Sequence, residues 1–184
     1  VYHYINYPRY RQLQESLLKL IHCSNPGINA IDLCSEKNTE VELLYDYFAI
    51  NQYIQRTDLL RIEPDIDSYA HTDSGNFRYS LNIPVVNYEG TMTKFYKPNN
   101  KPIIVRNADL VTTKEKNTKY GVFFRFLIDE KSKLLGEFET KSIFLMDTQI
   151  PHMIYNPNSV SRYTMLIRLN KNFIPGDKFK LSSS

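Results

Sequence analysis

From Leu59 onward the sequence changes period. Before that point apolar residues recur every three or four positions; after it they alternate or run continuously in short stretches, with turn residues at intervals of about ten positions. Strands are expected over Leu59–Ile66, Tyr69–Asp73, Phe77–Val86, Thr91–Tyr96, Pro102–Arg106, Val122–Ile128, Gly136–Thr140, Ser142–Asp147, His152–Tyr155 and Tyr163–Leu169. So many short strands in succession predict a barrel or sandwich, since each strand must find partners at its edges and bury a face. The 14 Tyr and 10 Phe against only 6 Gly point the same way, toward aromatic-rich strands and away from a glycine-cradled nucleotide fold.

Two helices are expected ahead of the strands. Leu13, Leu17, Leu20 and Ile21 fall at helical spacing after Pro8, and the segment ends before Asn25, Pro26 and Gly27. Thr39 and Glu42 read as a capping box opening a second helix, with Val41, Leu44, Tyr45 and Phe48 on one face. The expected architecture is mainly β with N-terminal helices, an antiparallel jelly roll with the helices buttressing one sheet. At 184 residues this is one domain: residues 1–57 as helical buttress, 58–170 as β core and 171–184 as a C-terminal tail frayed at Ser182–Ser184. Thr112–Lys119 reads as a loop.

Several function classes lose support at this level. Lys and Arg number 23 against 20 Asp and Glu, with no long run of one sign, so a nucleic-acid partner is not expected. No apolar stretch approaches the roughly 18 residues that span a bilayer. Cys23 and Cys34 match no zinc or redox spacing and read as reduced thiols, which favours an intracellular, cytoplasmic setting. Val1 is not an initiator Met, so the sequence is read without assuming that it includes the natural start. The stretch Asp73–Asn76, with its lone Gly75, lacks the repeated glycines of a phosphate loop.

The chemistry is carried by few residues. His71 and Asp73 stand two apart, and on an extended strand both side chains leave the same face. His152 follows Pro151 at the start of another apolar strand. Two imidazoles and one carboxylate on one side of a metal leave about three of six positions open, as in non-haem Fe(II) oxygenases. Arg162 lies ten residues after His152, across a turn built from Asn156, Pro157, Asn158 and Ser159. Its planar fork of donors suits a carboxylate. Either the two strands form a hairpin, making His152 and Arg162 cross-strand neighbours, or they come from facing sheets of a jelly roll. Thr164 shares the strand face of Arg162, and Asn82 and Tyr96 are weaker candidates on neighbouring strands. Taken singly, each residue has a plainer reading as a solvated charge, a hydrogen-bonded core histidine or an ordinary β-former; their order and spacing together set them apart.

His71, Thr72, Asp73, then His152, then Arg162 with Thr164, resembles the motif of the 2-oxoglutarate and Fe(II)-dependent dioxygenases, and the runs Ser80–Val85 and Thr91–Tyr96 look similar to core strands of small bacterial and viral members, with a looser likeness to prolyl and aspartyl hydroxylases. The resemblance covers roughly Leu59–Leu169. It implies a double-stranded β-helix of the cupin-like type, with His71, Asp73 and His152 as metal ligands and Arg162 and Thr164 on the cosubstrate. It implies further that Fe(II), 2-oxoglutarate and O2 take part, with ascorbate as a candidate reductant. The carboxylate ligand Asp73 favours hydroxylation over halogenation, since halogenating relatives have a small residue there. The substrate, a small molecule or a peptidyl side chain, and the oligomeric state are not legible. Two alternatives stay open: a zinc-dependent hydrolase using the same triad, which needs a nearby general base that no Glu beside either histidine offers, and a jelly-roll binding module without activity.

Overall fold

The structure, a computed structural model, describes residues 2–24, 30–34, 37–64, 69–73, 77–105, 123–176 and 179. The expected loop Thr112–Lys119, the tail Ser182–Ser184 and the strand ends at Ile66, Arg106 and Val122 lie outside these residues. Among the described residues two helices, α1 (Tyr10–Cys23) and α2 (Thr39–Phe48), accompany twelve strands: β1 (Tyr2–Tyr4), β2 (Ala30–Asp32), β3 (Ile54–Ile62), β4 (Tyr69–Thr72), β5 (Phe77–Val86), β6 (Met92–Lys97), β7 (Ile103–Val105), β8 (Phe123–Leu127), β9 (Lys133–Glu139), β10 (Phe144–Asp147), β11 (His152–Tyr155) and β12 (Arg162–Asn170). They form two antiparallel six-stranded sheets, ordered β1-β10-β5-β12-β3-β2 and β7-β8-β4-β11-β6-β9. This is a jelly roll, the double-stranded β-helix expected above. The strands β1 and β2 were not expected; at three residues each they are too short to display an alternation, and only pairing with β10 and β3 defines them.

The main apolar core lies on the outer face of the first sheet. Leu59, Leu81, Ile83, Leu145, Met165, Ile167 and Leu169 project there at alternate positions and pack against Leu13, Leu17, Val41, Leu44 and Phe48 of the helices. Phe173 and Phe179 are buried in the same cluster, so the segment after β12 is a working part of the core at these positions rather than a loose tail. Between the sheets the apolar content is small, a cluster of Phe95, Phe138, Phe144 and Met146. Cys23 and Cys34 are free thiols, and no helix among the described residues is long and apolar enough to cross a membrane.

Capping of α2 differs from expectation. Asn38 caps it, with Oδ1 accepting from the Val41 amide at 3.2 Å, and Thr39 is the first helical residue. Asn38 also donates through Nδ2 to Ser16 Oγ at 3.0 Å, which ties the start of α2 to the flank of α1. A Thr at the same position would lack that second donor.

The corners at one end of the jelly roll are built from asparagines. Asn87, at φ 58°, ends β5, and Gly90, at φ 71°, leads into β6. Asn87 Nδ2 donates to the Ser161 carbonyl, and Asn158 Nδ2 returns bonds to the carbonyls of Asn87 and Glu89. The β5–β6 and β11–β12 connections, both crossing between sheets, are thereby locked to each other. Since β11 and β12 lie in different sheets, the hairpin alternative fails: His152 and Arg162 come from facing walls.

The Asn38→Ala substitution should remove both the cap and the tie to Ser16. A loss of about 1–2 kcal/mol is expected from urea unfolding midpoints, with an unchanged slope and unchanged ligand binding at the cleft.

Candidate metal centre

The inner faces of the sheets enclose a cleft of about 320 Å³ lined by residues of both walls. His71 and His152 are register partners across β4 and β11, with ring centroids 4.6 Å apart. Asp73 follows β4 directly, and its amide donates to the Thr148 carbonyl at 3.1 Å, which fixes the strand end against the β10–β11 connection. One ligand atom from each of His71, Asp73 and His152 lies within 4.8 Å of the others. The donors are near enough for one ion, and two imidazoles with one carboxylate are a borderline set that suits Fe(II) as well as Zn(II).

Details of the two rings agree with such a role. His152 is 1 % exposed and its Nδ1 lies 2.9 Å from the Ile150 carbonyl, so Nδ1 carries the proton and the Nε2 lone pair is left for a ligand. His71 opens part of its ring surface on the cleft, yet the atoms packed round it push its pKa down to about 3. Desolvation is the largest cause, His152, Arg125 and Arg168 add to it, and Asp73 opposes it. The imidazole is therefore neutral at neutral pH, the form that binds metals.

Arg162 is 1 % exposed, at the head of the largest fully buried side chains. It shares its strand face with Leu166 and Arg168, which line the cleft. Its Nη1 donates at 2.9 Å to Thr91 Oγ1, which itself donates to the Tyr88 carbonyl, while Nε is buried without a partner among the described residues. Burial lowers its pKa to about 10, which still leaves it charged. Among the described residues no carboxylate is paired with this guanidinium, and a buried guanidinium without one is a costly arrangement unless an anion completes it.

The remaining candidates divide. Asn82, 2 % exposed, lines the cleft with the triad. Thr164 faces the interior, but its hydroxyl donates to the Ile83 carbonyl at 3.1 Å, and the hydroxyl that meets Arg162 belongs to Thr91. Tyr96 is not brought to the cleft: it is half-buried beside a break in register at Phe95/Tyr96, and Phe95 takes the inward position. Thr91 and Ser80 were missed because isolated hydroxyls in strand sequences carry no signal of their own. Strand parity relative to His152 and Arg168 would have placed them on the inward face.

No family model matches the chain, and no curated protein matches it significantly. Among solved structures, it is similar to AviO1 from Streptomyces viridochromogenes, at 13% identity over 95% of this chain and 90% of that one, with a TM-score of 0.53. It also matches SnoK, described as a non-heme alpha ketoglutarate dependent carbocyclase from nogalamycin biosynthesis, at 10% identity over 92% and 79% of the chains, with a TM-score of 0.49. At such identities the likeness to AviO1 speaks for the fold.

Replacing His71, Asp73 or His152 by Ala should abolish stoichiometric Mn(II) or Fe(II) binding in anaerobic calorimetric titrations. Undiminished affinity in all three variants would exclude this cluster as a metal centre.

Proposed function

We propose that the chain is a non-haem Fe(II) oxygenase that uses 2-oxoglutarate, with His71, Asp73 and His152 holding the metal and Arg162 the far carboxylate of the cosubstrate. The observation that carries this reading is the convergence of the three ligand atoms within 4.8 Å on the wall of a cleft between the sheets. Bound iron would supply activation of O2 coupled to oxidative decarboxylation of 2-oxoglutarate to succinate and CO2, and to oxidation of a substrate C–H bond.

The chain's own residues prepare the site. The Ile150 carbonyl orients His152, burial keeps His71 neutral, and the Thr148 carbonyl holds the Asp73 backbone in place. Arg162, steadied by Thr91, offers an unpaired Nε to a carboxylate. Asn82 is the candidate for the inner carboxylate. The aromatic cluster of Phe95, Phe138 and Phe144 closes off part of the interior from water, which strengthens every charged contact inside. Asp73, in place of a small residue, favours hydroxylation, and the substrate is a small molecule or a peptidyl side chain.

Glu63 bears on the zinc-hydrolase alternative. It lines the cleft, but its carboxylate already receives Arg61 Nε at 2.9 Å and Ser161 Oγ at 2.6 Å, which makes it a poor free base. Conversion of 2-oxoglutarate to succinate by the full chain, dependent on Fe(II) and O2 and abolished by a chelator, is the direct test. Failure of both turnover and metal-dependent 2-oxoglutarate binding would overturn the reading.

Arg162→Ala should weaken 2-oxoglutarate binding to the Mn(II)-loaded chain by at least about tenfold, since truncating one partner of a buried charged pair costs about 2–5 kcal/mol. Arg162→Lys should fall between, having the charge without the fork. Metal affinity, titrated first, should stay near that of the wild type.

A further inference from the structure

The cleft wall opposite the two histidines carries a polar patch of which the oxygenase reading uses Asn82 alone. Ser80 and Arg168 are direct register partners across β5 and β12, and Asn82 pairs with Leu166 two positions along. All four residues line the cleft together with the triad. Ser80 is 1 % exposed, and its hydroxyl has no hydrogen-bond partner among the described residues. Native interiors rarely leave such a group unpaired.

Arg168 has donors to spare. Among the described residues its one hydrogen bond runs from Nη1 to Asp58, while its Nε forms a looser ion pair with Asp73 at 3.9 Å, beyond hydrogen-bond reach. A guanidinium carries five N–H donors, so most of this fork is unspent at the cleft. Asp58, 1 % exposed, is held by both Arg56 and Arg168, so its charge is met inside the wall. Asn82 spends one N–H on the Ser80 carbonyl and retains the other. Beside this patch the lining turns apolar at Leu60, Ile62, Ile154 and Leu166.

We infer that Ser80 and Arg168, flanked by Asn82, form an anion subsite for a carboxylate of the primary substrate, whose hydrocarbon body lies along Leu60, Ile62 and Ile154. The substrate class is then an organic acid with an apolar body. The substrate role rests on the oxygenase reading; the subsite itself needs only these side chains. It is separate from Arg162, which stands six residues earlier on β12, roughly 20 Å of strand away between Cα atoms.

The test titrates the full chain with hexanoate and with hexan-1-ol, followed by calorimetry or amide chemical shifts, once metal-free and once loaded anaerobically with Mn(II) and 2-oxoglutarate. Hexanoate should bind more tightly than the alcohol. Its affinity should fall about tenfold in Arg168→Gln and severalfold in Ser80→Ala, and should persist in Arg162→Ala. Thermal unfolding establishes that the variants are folded, and Ser80→Ala, the smaller change, decides the case if Arg168→Gln is not. This discrimination in at least one of the two forms carries the proposal, and its absence from both overturns it. Loss of hexanoate binding in Arg162→Ala with Ser80→Ala unaffected would place the carboxylate at Arg162 and overturn it. So would a Ser80→Ala variant that loses 2-oxoglutarate affinity but not hexanoate, which would assign the patch to the cosubstrate. Hexanoate discrimination without metal or 2-oxoglutarate binding would sink the oxygenase reading and leave the subsite standing; the converse pattern would do the reverse.

Discussion

The strict alternation of β12 is the constraint on which the rest of the molecule depends. Met165, Ile167 and Leu169 point to the helices, while Arg162, Thr164, Leu166 and Arg168 point into the space between the sheets. β5, its neighbour, repeats the division with Leu81, Ile83 and Val85 on one side and Ser80 and Asn82 on the other. A slip of one residue in the pairing of either strand would turn the guanidiniums into the helical core and the aliphatic side chains into the cleft. Two unlike faces therefore fix the register more firmly than one apolar face against solvent would.

This division frees the jelly-roll interior from the usual demand that it be the hydrophobic core. Helices α1 and α2 cover the first sheet and take up most of its apolar burial, and only a few aromatic residues are needed between the sheets. The remaining interior is mixed: hydroxyls, an amide, histidines and arginines stand beside Leu60, Ile62, Ile154 and Leu166, where most sandwiches place aliphatic side chains throughout. A buried Arg162 whose Nε has no partner among the described residues is tolerable in such a setting because the locked corner that carries Thr91 supplies one neutral acceptor without quenching the charge.

Much of this organisation was legible in the sequence, and the reasons differ from element to element. Phe77–Val86 and His152–Tyr155 match the observed strands end for end because their apolar runs are bounded by turn residues. The pairing of His71 with Asp73 followed from period two alone. The cap of α2 was misplaced by one residue, because Asn38 and Thr39 are both good capping residues and the contact with Ser16 that distinguishes them spans 22 positions. Tyr96, a weaker candidate, is turned away from the site by parity alone: Phe95, the register partner of His152, takes the inward position next to it, and only the pairing of β6 with β11 shows which parity faces inward.

The sequence by itself determined that helices give way to a long run of strands, though β3 begins at Ile54 rather than Leu59, together with the alternation that sorts residues onto faces and the residue types able to hold a metal and a carboxylate. These are local properties, set by backbone geometry within a few residues. Only the tertiary structure decided that β11 and β12 belong to different sheets, that His71 and His152 are cross-strand partners, that Thr91 meets Arg162, and that Ser80 and Arg168 share a patch. Each of those three contacts joins residues separated by roughly seventy to ninety positions. Their pairing is selected by burying one face of every strand at once, a condition on the whole chain that no single segment contains.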